Sequence, residues 1–295
     1  MSHALHAKPN ITSQFFYDFC LYLKMSTMQA ANRLWTALSK GRQSFGAWQM
    51  IRGANVSRVL ARTGVDWVLV DCEHGDIDDG AMHEAVPAIA DAGVSPIVRP
   101  PGMEGWMIKR ALDSGAHGVL IPLIETVEEV KRVVKAAKFP PQGRRGFGSP
   151  YAQQRFNPSP NFIEYLHQAN DATLVIVQIE TKEALEAIDE IAAVDGVDVL
   201  FIGPFDLGNN IGHPIVSSEM APQLKDAIAK VLAASHKHGK KCGIYTSGGQ
   251  QAKAFADQGF DMISVATDHT SLDDVVRGHL SVASATAKPD KGVSY

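Results

Sequence analysis

The chain has 295 residues, of which 45% are hydrophobic and 20% are charged, and its formal net charge is −4 at pH 7. This composition is typical of a globular protein that buries a large core. The slightly acidic balance, without a Lys/Arg-rich block, argues against nucleic acid as a partner. No apolar run approaches the roughly 20 residues that a membrane helix needs, so we expect no membrane association.

Three cysteines, Cys20, Cys72 and Cys242, are widely spaced and odd in number. They form neither a disulfide framework nor a zinc motif, which predicts a reducing compartment and therefore a cytoplasmic location. The apolar stretch FFYDFCLYL at residues 15–23 does not have the features of a signal peptide, because an aspartate interrupts it and no clear basic region precedes it.

An N-terminal extension, residues 1–41, precedes a regular alternation of short apolar runs and amphipathic helical patterns. The runs lie at residues 45–50, 66–72, 95–100, 118–124, 173–180, 197–204, 241–246 and 261–267. Helical patterns with apolar residues at i, i+3 and i+4 lie between them, for example at 126–138 and 183–194. Continuous apolar strands alternating with such helices indicate a parallel sheet that is covered on both faces.

This alternation predicts an α/β fold, a single-domain (β/α)8 TIM barrel over residues 42–285, followed by a polar tail at 286–295. A doubly wound open sheet is the alternative, but the segment after the first strand, FGAWQMIRGANVS, lacks the GxGxxG phosphate turn. One long irregular insertion, residues 140–161, follows the fourth helical pattern. A loop of that length in a compact domain is usually functional, and we expect it to form an ordered lid.

Barrel enzymes place their chemistry at the carboxyl ends of the strands. Polar side chains gather there in this sequence: Asp71, Glu73, His74, Arg99, Gln178, Glu180 and Asp206. The tips of strands 1 and 7 contribute Trp48 and Tyr245. A Schiff-base aldolase would need a desolvated lysine at a strand tip, and none of the eight tips carries one.

Glu180 and Asp206 follow neighbouring strands, which lie about 4.8 Å apart in a sheet. Two carboxylates that close repel each other unless a proton or a cation lies between them. Oxygen ligands favour a hard divalent ion such as Mg²⁺ or Mn²⁺. The alternative is that both are solvated loop acids, with Glu180 near the favourable N-terminal dipole of the next helix.

Arg99 and His74 have two interpretations each. Arg99 follows an apolar run, so its guanidinium could bind a substrate carboxylate in bidentate fashion, or it could form a structural ion pair with Glu73 or Asp71. His74 could be a general base whose imidazole is oriented by Asp71, or a solvated loop histidine.

Six motifs in register resemble one family. They are GAW (46–48), DCEHGD (71–76), IVR (97–99), RRGFGS (144–149), QIET (178–181) and GPFDL (203–207). Together they resemble the HpcH/HpaI family of metal-dependent, class II pyruvate aldolases, which fold as (β/α)8 barrels. The resemblance covers residues of about 42 to 280, and the order of the motifs and their placement on strands both agree.

The resemblance implies a role for each matching residue. Glu180 and Asp206 match the metal ligands, with Mg²⁺ as the expected ion and Mn²⁺ or Co²⁺ as alternatives. Arg99 matches the arginine that stabilises the pyruvate carboxylate and the enolate, and Gln178 matches a glutamine that hydrogen-bonds the keto acid. His74 with Asp71 matches a proton-transfer dyad. Further substrate contacts are implied for Trp48, Ser149, Pro204 and Phe205.

The family also implies a homo-oligomer, a trimer or a hexamer, in which barrels exchange their last helix, here residues 270–285. Two segments depart from the family pattern: TSGGQQ after strand 7 and FDLGNNIGHP after strand 6. Both can shape the pocket, so the acceptor substrate is open. The continuation NNIGHP resembles a specialised carbon–carbon bond-forming branch of the superfamily.

The predicted function is therefore a metal-dependent carbon–carbon lyase that acts on small 2-oxo acids through a pyruvate enolate. Deprotonation, retro-aldol cleavage or oxaloacetate decarboxylation could generate that enolate. One alternative is a decarboxylase that goes on to form carbon–carbon bonds, and another is an acyl-CoA lyase of the citramalyl or malyl type. A non-catalytic barrel is disfavoured, because Glu180, Asp206 and Arg99 are all present.

Overall fold

The computed structural model describes residues 26–217 and 219–284. Within them, eight parallel strands close into a barrel in chain order, which confirms the predicted (β/α)8 fold. The strands are β1 (Ser44–Gln49), β2 (Trp67–Asp71), β3 (Ser95–Arg99), β4 (Gly118–Ile121), β5 (Leu174–Ile179), β6 (Val199–Ile202), β7 (Lys241–Ile244) and β8 (Met262–Thr267). Each strand coincides with one of the eight apolar runs of the sequence, and no strand extends more than one residue beyond its run.

Helices precede the barrel and connect its strands. They are α1 (Thr27–Ala31), α2 (Arg33–Ser39), α3 (Ala54–Ala61), α4 (Asp79–Ala90), α5 (Gly105–Asp113), α6 (Val127–Ala137), α7 (Phe162–Ala172), α8 (Lys182–Glu186), α9 (Ile188–Ala192), α10 (Pro204–Asn210), α11 (Pro222–Lys237), α12 (Gly249–Asp257) and α13 (Asp268–Ala283). None of the helices in the described part of the chain has the length and apolar character to cross a bilayer.

The strands alternate between two apolar layers. In β2, Trp67 and Leu69 belong to the cluster that fills the barrel interior, while Val68 and Val70 pack in the layer between strands and helices. This is the two-residue period of a pleated strand. Gly46 on β1 makes room for the indole of Trp67, since a Cβ there would overlap its ring. The same period directs Asp71, the last residue of β2, into the barrel.

Residues 26–41 close the amino-terminal end of the barrel. Leu34 and Leu38 of α2 are buried in the interior cluster. Asn32 is fully buried, and its amide donates to the carbonyls of His117 (3.0 Å) and Ala172 (2.8 Å), which precede β4 and β5. The described part of the N-terminal extension is therefore a plug that completes the barrel core.

The insertion at residues 140–161 lies at this same end, so the expectation of a lid over the active site was wrong. The ring of His117, which precedes β4, donates a hydrogen bond from Nε2 to the carbonyl of Arg155 (2.8 Å). Arg145 pairs with Asp113 at the carboxyl end of α5 (2.8 Å). Helix α6 runs from the carboxyl end of β4 towards the amino-terminal end of the barrel, which places the following insertion there.

Several predictions fall on residues outside the described ranges. These are the interpretation of residues 15–23, the first part of the extension, and the polar tail at 286–295. Cys20 lies there as well, whereas Cys72 and Cys242 are described and carry free thiols. The division of the chain at residues 41 and 285 stays a prediction.

We expect Leu34→Ala to destabilise the protein by about 2–5 kcal/mol, because it leaves a cavity in a closed apolar interior. Urea denaturation followed by circular dichroism would measure the loss. Val59→Ala on α3 is the matched control, since that valine is exposed and should change the free energy of unfolding by no more than about 0.5 kcal/mol. Equal effects of the two substitutions would contradict the role of α2 as a plug.

Candidate active site

A cavity of about 380 Å³ opens at the carboxyl ends of the strands. The residues from the sequence prediction that line it are Trp48, Asp71, His74, Arg99, Gln178, Pro204, Phe205 and Asp206. It is also lined by Met50, Phe201, Gly203, Tyr245 and His269. Residues from β1, β2, β3, β5, β6 and β7 thus meet at one end of the barrel, as the strand-tip argument predicts.

Arg99 and Asp71 are paired residues at the ends of β3 and β2, and both side chains face the interior. The pair is bidentate: Arg99 Nε lies 3.0 Å from Asp71 Oδ1, and Nη2 lies 2.5 Å from Oδ2. Glu73 Oε2 lies 3.0 Å from Arg99 Nη1. The guanidinium carbon also lies 5.0 Å from the ring centre of Trp48. Arg99 is therefore buried and held on several sides.

Asp71 has a full set of hydrogen-bond donors. Besides Arg99, it accepts from the indole of Trp48 (2.9 Å) and from the backbone N–H groups of Glu73 (3.0 Å) and His74 (3.2 Å). Burial acts to raise the pKa of Asp71, but the hydrogen bonds and charge of Arg99 outweigh it, and the pKa lies below its ordinary value. Asp71 is thus an anion whose role is to position Arg99.

His74 lies at the mouth of the cavity, with 60% of its side chain exposed. Its imidazole Nε2 is 3.9 Å from Glu73 Oε1. The hydrogen bond to Asp71 comes from the His74 backbone, so the structure does not show the predicted orientation of the imidazole by Asp71. The reason is that Arg99 and Trp48 already occupy both carboxylate oxygens of Asp71.

Glu180 is buried directly after β5, next to the cavity. Its Oε1 accepts from the backbone N–H of Leu123 (2.8 Å), and its Oε2 accepts from the amide of Gln178. A Cβ at position 203 would lie 2.6 Å from Glu180 Oε2, so Gly203 leaves this carboxylate the space that it needs. Burial raises the pKa of Glu180 to about 7, and the negative charges of Asp206 and Glu73 contribute to the rise.

The donor to Glu180 sits on strained backbone. Leu123 has a φ of 54°, in the left-handed region that leucine rarely adopts. Such strain costs about 1–3 kcal/mol and persists where the surrounding structure imposes it, commonly at functional sites. Here the strained conformation aims the Leu123 N–H at Glu180.

Asp206 follows β6, the strand next to the one after which Glu180 lies. Residues Ile179 and Ile202 are paired across β5 and β6, and the chain continues through Gly203 into α10, with Pro204 at its start and Asp206 in its first turn. Asp206 lines the cavity and is close enough for its charge to act on both Glu180 and Glu73. Of the two carboxylates predicted as ligands, Asp206 therefore lines the cavity and Glu180 is buried beside it.

Ser149 is not brought to this cavity within one chain. Its hydroxyl donates to the carbonyl of Asp113 (2.7 Å) and accepts from the backbone N–H of Tyr151 (3.2 Å), near the opposite end of the barrel. The neighbouring Arg145 is buried against Phe139 and Asp113. In this structure the RRGFGS segment has a packing role.

Sequence reasoning missed Met50, Phe201 and His269 as cavity residues. The alternation of the strands could have identified Phe201, because Val199 and Phe201 continue the interior face of β6. Met50 and His269 lie beyond the ends of β1 and β8, so the two-residue alternation of a strand does not predict which way their side chains point. Asp268 ties these two segments together by accepting from the backbone of Met50 and Ile51.

Comparison with known proteins agrees with this geometry. The family model described as HpcH/HpaI aldolase/citrate lyase matches residues 45–274. The chain is 36% identical to a hydroxypyruvate/pyruvate aldolase of Roseobacter denitrificans, over 80% of this chain and 91% of the relative. It is 38% identical to a 4-hydroxy-2-oxo-heptane-1,7-dioate aldolase of Klebsiella pneumoniae, over 80% of this chain and 88% of the relative.

Among solved structures, macrophomate synthase superimposes with a TM-score of 0.76 at 30% identity, covering 86% of this chain and 89% of that one. The resemblance inferred from the six motifs is thereby confirmed. The chain belongs to the HpcH/HpaI aldolase/citrate lyase family.

Proposed function

We propose that the protein is a metal-dependent carbon–carbon lyase that makes or breaks a bond to C3 of a pyruvate unit through its enolate. The observation that carries the proposal is a buried guanidinium, Arg99, that faces the same cavity as Asp206, with the carboxylate of Glu180 buried close enough to act on both charges. That cavity contains no lysine among the described residues, which does not fit Schiff-base chemistry. The names of the aldolase relatives support the same reaction class.

The site residues fit a hard divalent cation. Among residues 26–217 and 219–284, no cluster of three or more His, Cys, Asp or Glu side chains could hold a metal ion. We assign the protein ligands to the pair Glu180 and Asp206, because the charge of Asp206 acts on Glu180. Two carboxylates with the remaining positions left to substrate and water are typical of Mg²⁺ sites. Arg99 forms ion pairs with Asp71 and Glu73, and within the described ranges neither Glu180 nor Asp206 forms an ion pair.

A bound divalent ion would supply Lewis acid stabilisation to the keto acid. Arg99 would pair with the carboxylate or the enolate oxygen of the donor, and its own anchors prevent it from moving when charge develops. Gln178 links the two halves of the site, because its oxygen faces Arg99 Nη1 (3.5 Å) and its amide donates to Glu180. We assign the proton transfer at C3 or at the hydroxyl to His74, which lies at the cavity mouth.

A second candidate function is decarboxylation of oxaloacetate followed by carbon–carbon bond formation. The structural similarity to macrophomate synthase favours it over the acyl-CoA lyase alternative. Both candidates share the enolate and the site residues above. They differ in whether a carbon-bound proton or carbon dioxide leaves C3 of the donor.

We further propose that the chain assembles into a trimer or hexamer through α13. Four residues of this helix, Leu272, Val275, Val276 and Leu280, are exposed and share one face at helical spacing. An exposed apolar face of this kind marks an interaction surface. The predicted exchange of the last helix between barrels would cover it.

The metal assignment predicts that a chelator abolishes activity and that Mg²⁺ or Mn²⁺ restores it. Glu180→Gln and Asp206→Asn should each abolish Mn²⁺ binding at millimolar concentration, since one anionic ligand cannot hold a hard cation against water. Because Glu180 must lose a proton to bind a cation, wild-type affinity should fall as the pH drops through about 7. Calorimetric titration with Mn²⁺ measures both effects.

Glu128→Gln on α6 is the control for the metal experiment, because it removes an exposed carboxylate that does not line the cavity. It should bind Mn²⁺ as the wild type does. Full activity of the wild type in excess chelator would contradict the metal assignment.

The base assignment predicts a selective loss in His74→Ala. Decarboxylation of oxaloacetate needs no base to remove a carbon-bound proton, whereas proton exchange at C3 of pyruvate does, and general base catalysis contributes about 10²–10⁴ in rate. The variant should therefore lose pyruvate exchange, followed by NMR in D₂O, by far more than it loses decarboxylation. Arg99→Ala should impair both reactions.

His269→Ala, which removes a second cavity histidine, should leave the ratio of the two rates as in the wild type. If His74→Ala lowers exchange and decarboxylation by the same factor, His74 positions the substrate and the base assignment is wrong.

The assembly proposal predicts a stable oligomer at micromolar concentration by sedimentation velocity. Val276→Asp should shift the protein towards the monomer, because a carboxylate would be buried in the interface. The control, Val59→Asp, also places a charge at an exposed valine, and it should leave the oligomer intact. A monomeric wild type would refute the proposal.

A further inference from the structure

The cavity has an aromatic wall beside the proposed donor site. We propose that this wall selects the acceptor, and that the preferred electrophile is an apolar, ring-bearing aldehyde without a carboxylate. The inference rests on the proposed function, because it names the second substrate of the same site. It is carried by the packing of the wall and by the distribution of charge around the cavity.

Four side chains form the wall: Trp48, Phe201, Phe205 and Tyr245. The rings of Trp48 and Tyr245 meet edge to face at 5.1 Å, Phe205 lies 6.2 Å from Tyr245, and Phe201 lies 5.8 Å from Trp48. Each ring is thus held by a neighbour in a geometry that aromatic pairs favour. The wall is a set of packed rings from β1, β6, α10 and the residue that follows β7.

The polar atoms of the wall are already engaged by protein. The Trp48 indole N–H donates to Asp71 (2.9 Å), and the Tyr245 hydroxyl pairs with the Thr267 hydroxyl (2.8 Å). Phe205 and Tyr245 are partly exposed and offer ring surface to a ligand, with the buried Trp48 and Phe201 packed behind them. Neither Trp48 nor Tyr245 has a free hydrogen-bond donor for a carboxylate. Burying an unpaired carboxylate against such a surface is strongly unfavourable.

The charges of the cavity also disfavour an anionic acceptor. Arg99 is paired with Asp71 and Glu73. The proposed divalent cation would offset the charges of Glu180 and Asp206, and the donor carboxylate adds one negative charge, so no positive charge is left for an acceptor carboxylate. The other lining residues that can carry positive charge in the described part of the chain, His74 and His269, lie at the exposed mouth, away from a desolvated pocket.

The location of Phe205 connects the wall to the chemistry. It precedes Asp206 in the first turn of α10, so the acceptor subsite adjoins the proposed metal ligand. In the addition, C3 of the donor loses a proton and forms one bond to the aldehyde carbon. The carbonyl electron pair moves to the aldehyde oxygen, which gains a proton, so the product contains all the atoms of pyruvate and aldehyde.

The test compares benzaldehyde with succinic semialdehyde as acceptors for pyruvate, using the full chain with Mg²⁺. We expect kcat/KM for benzaldehyde to exceed that for succinic semialdehyde on the order of tenfold or more. Phe205→Ala and Tyr245→Ala should each reduce this ratio several-fold. Tyr245→Phe should keep it, because the hydroxyl faces Thr267 and the ring remains.

Phe162→Ala is the matched control, since Phe162 is an exposed aromatic residue outside the cavity, and it should leave the ratio unchanged. Thermal denaturation of each variant excludes misfolding as the cause of an altered ratio. A ratio that favours succinic semialdehyde, or one that Phe205→Ala and Tyr245→Ala do not change, would overturn the inference.

Oxaloacetate decarboxylation and pyruvate proton exchange, measured on the same preparations, distinguish a failure of the acceptor inference from a failure of the proposed function. If these donor reactions proceed while the acceptor ratio contradicts expectation, the acceptor inference fails and the proposed function stands. If neither donor reaction occurs with Mg²⁺ or Mn²⁺, the proposed function fails, and the acceptor inference fails with it.

Discussion

The bidentate pair between Asp71 and Arg99 is the constraint on which the active-site end of the barrel depends. The two residues are register partners on β2 and β3, so strand pairing alone brings them together. Both side chains are buried, so removing either one would leave an unpaired buried charge and destabilise the fold. Because Trp48 and two backbone N–H groups also donate to Asp71, the guanidinium is fixed by β1, β2 and β3 at once.

From Arg99 the organisation extends to the rest of the site. Gln178 lies between Arg99 and Glu180, and Glu180 is held by Leu123 and given space by Gly203. The contacts with Leu123 and Gln178 hold the Glu180 carboxylate in a buried, poorly solvated position. Burial raises the pKa of Glu180 to about 7, and a shift of this size beside a cavity is common at functional sites.

The strand positions and the strand-tip residues were predictable from the sequence because they depend on short-range patterns. A β-branched run such as LVIVQI, residues 174–179, is a strand in any context that buries it, and its carboxyl end must lie at the active-site end of a barrel. The interior direction of Arg99, Gln178 and Glu180 follows from the two-residue period.

Other features depended on contacts between distant segments, which no local pattern encodes. The sequence suggested that Asp71 orients His74, but whether Arg99 or His74 takes the carboxylate depends on three-dimensional geometry. The insertion at 140–161 has the composition of a lid, and its position at the opposite end follows from the direction of α6. For the same reason the plugging role of residues 26–41 could not be seen in their sequence.

That plug has a consequence for the order in which the chain can fold. Asn32 hydrogen-bonds carbonyls that are 85 and 140 residues further along the chain. During synthesis, α2 emerges before any strand of the barrel, yet the cluster that its apolar face joins is complete only when β8 supplies Met262. The contacts that close the amino-terminal end of the barrel therefore join segments far apart in the chain, and they form late. Contacts of such large sequence separation slow folding. Until then Leu34 and Leu38 are exposed apolar surface that chaperones can bind.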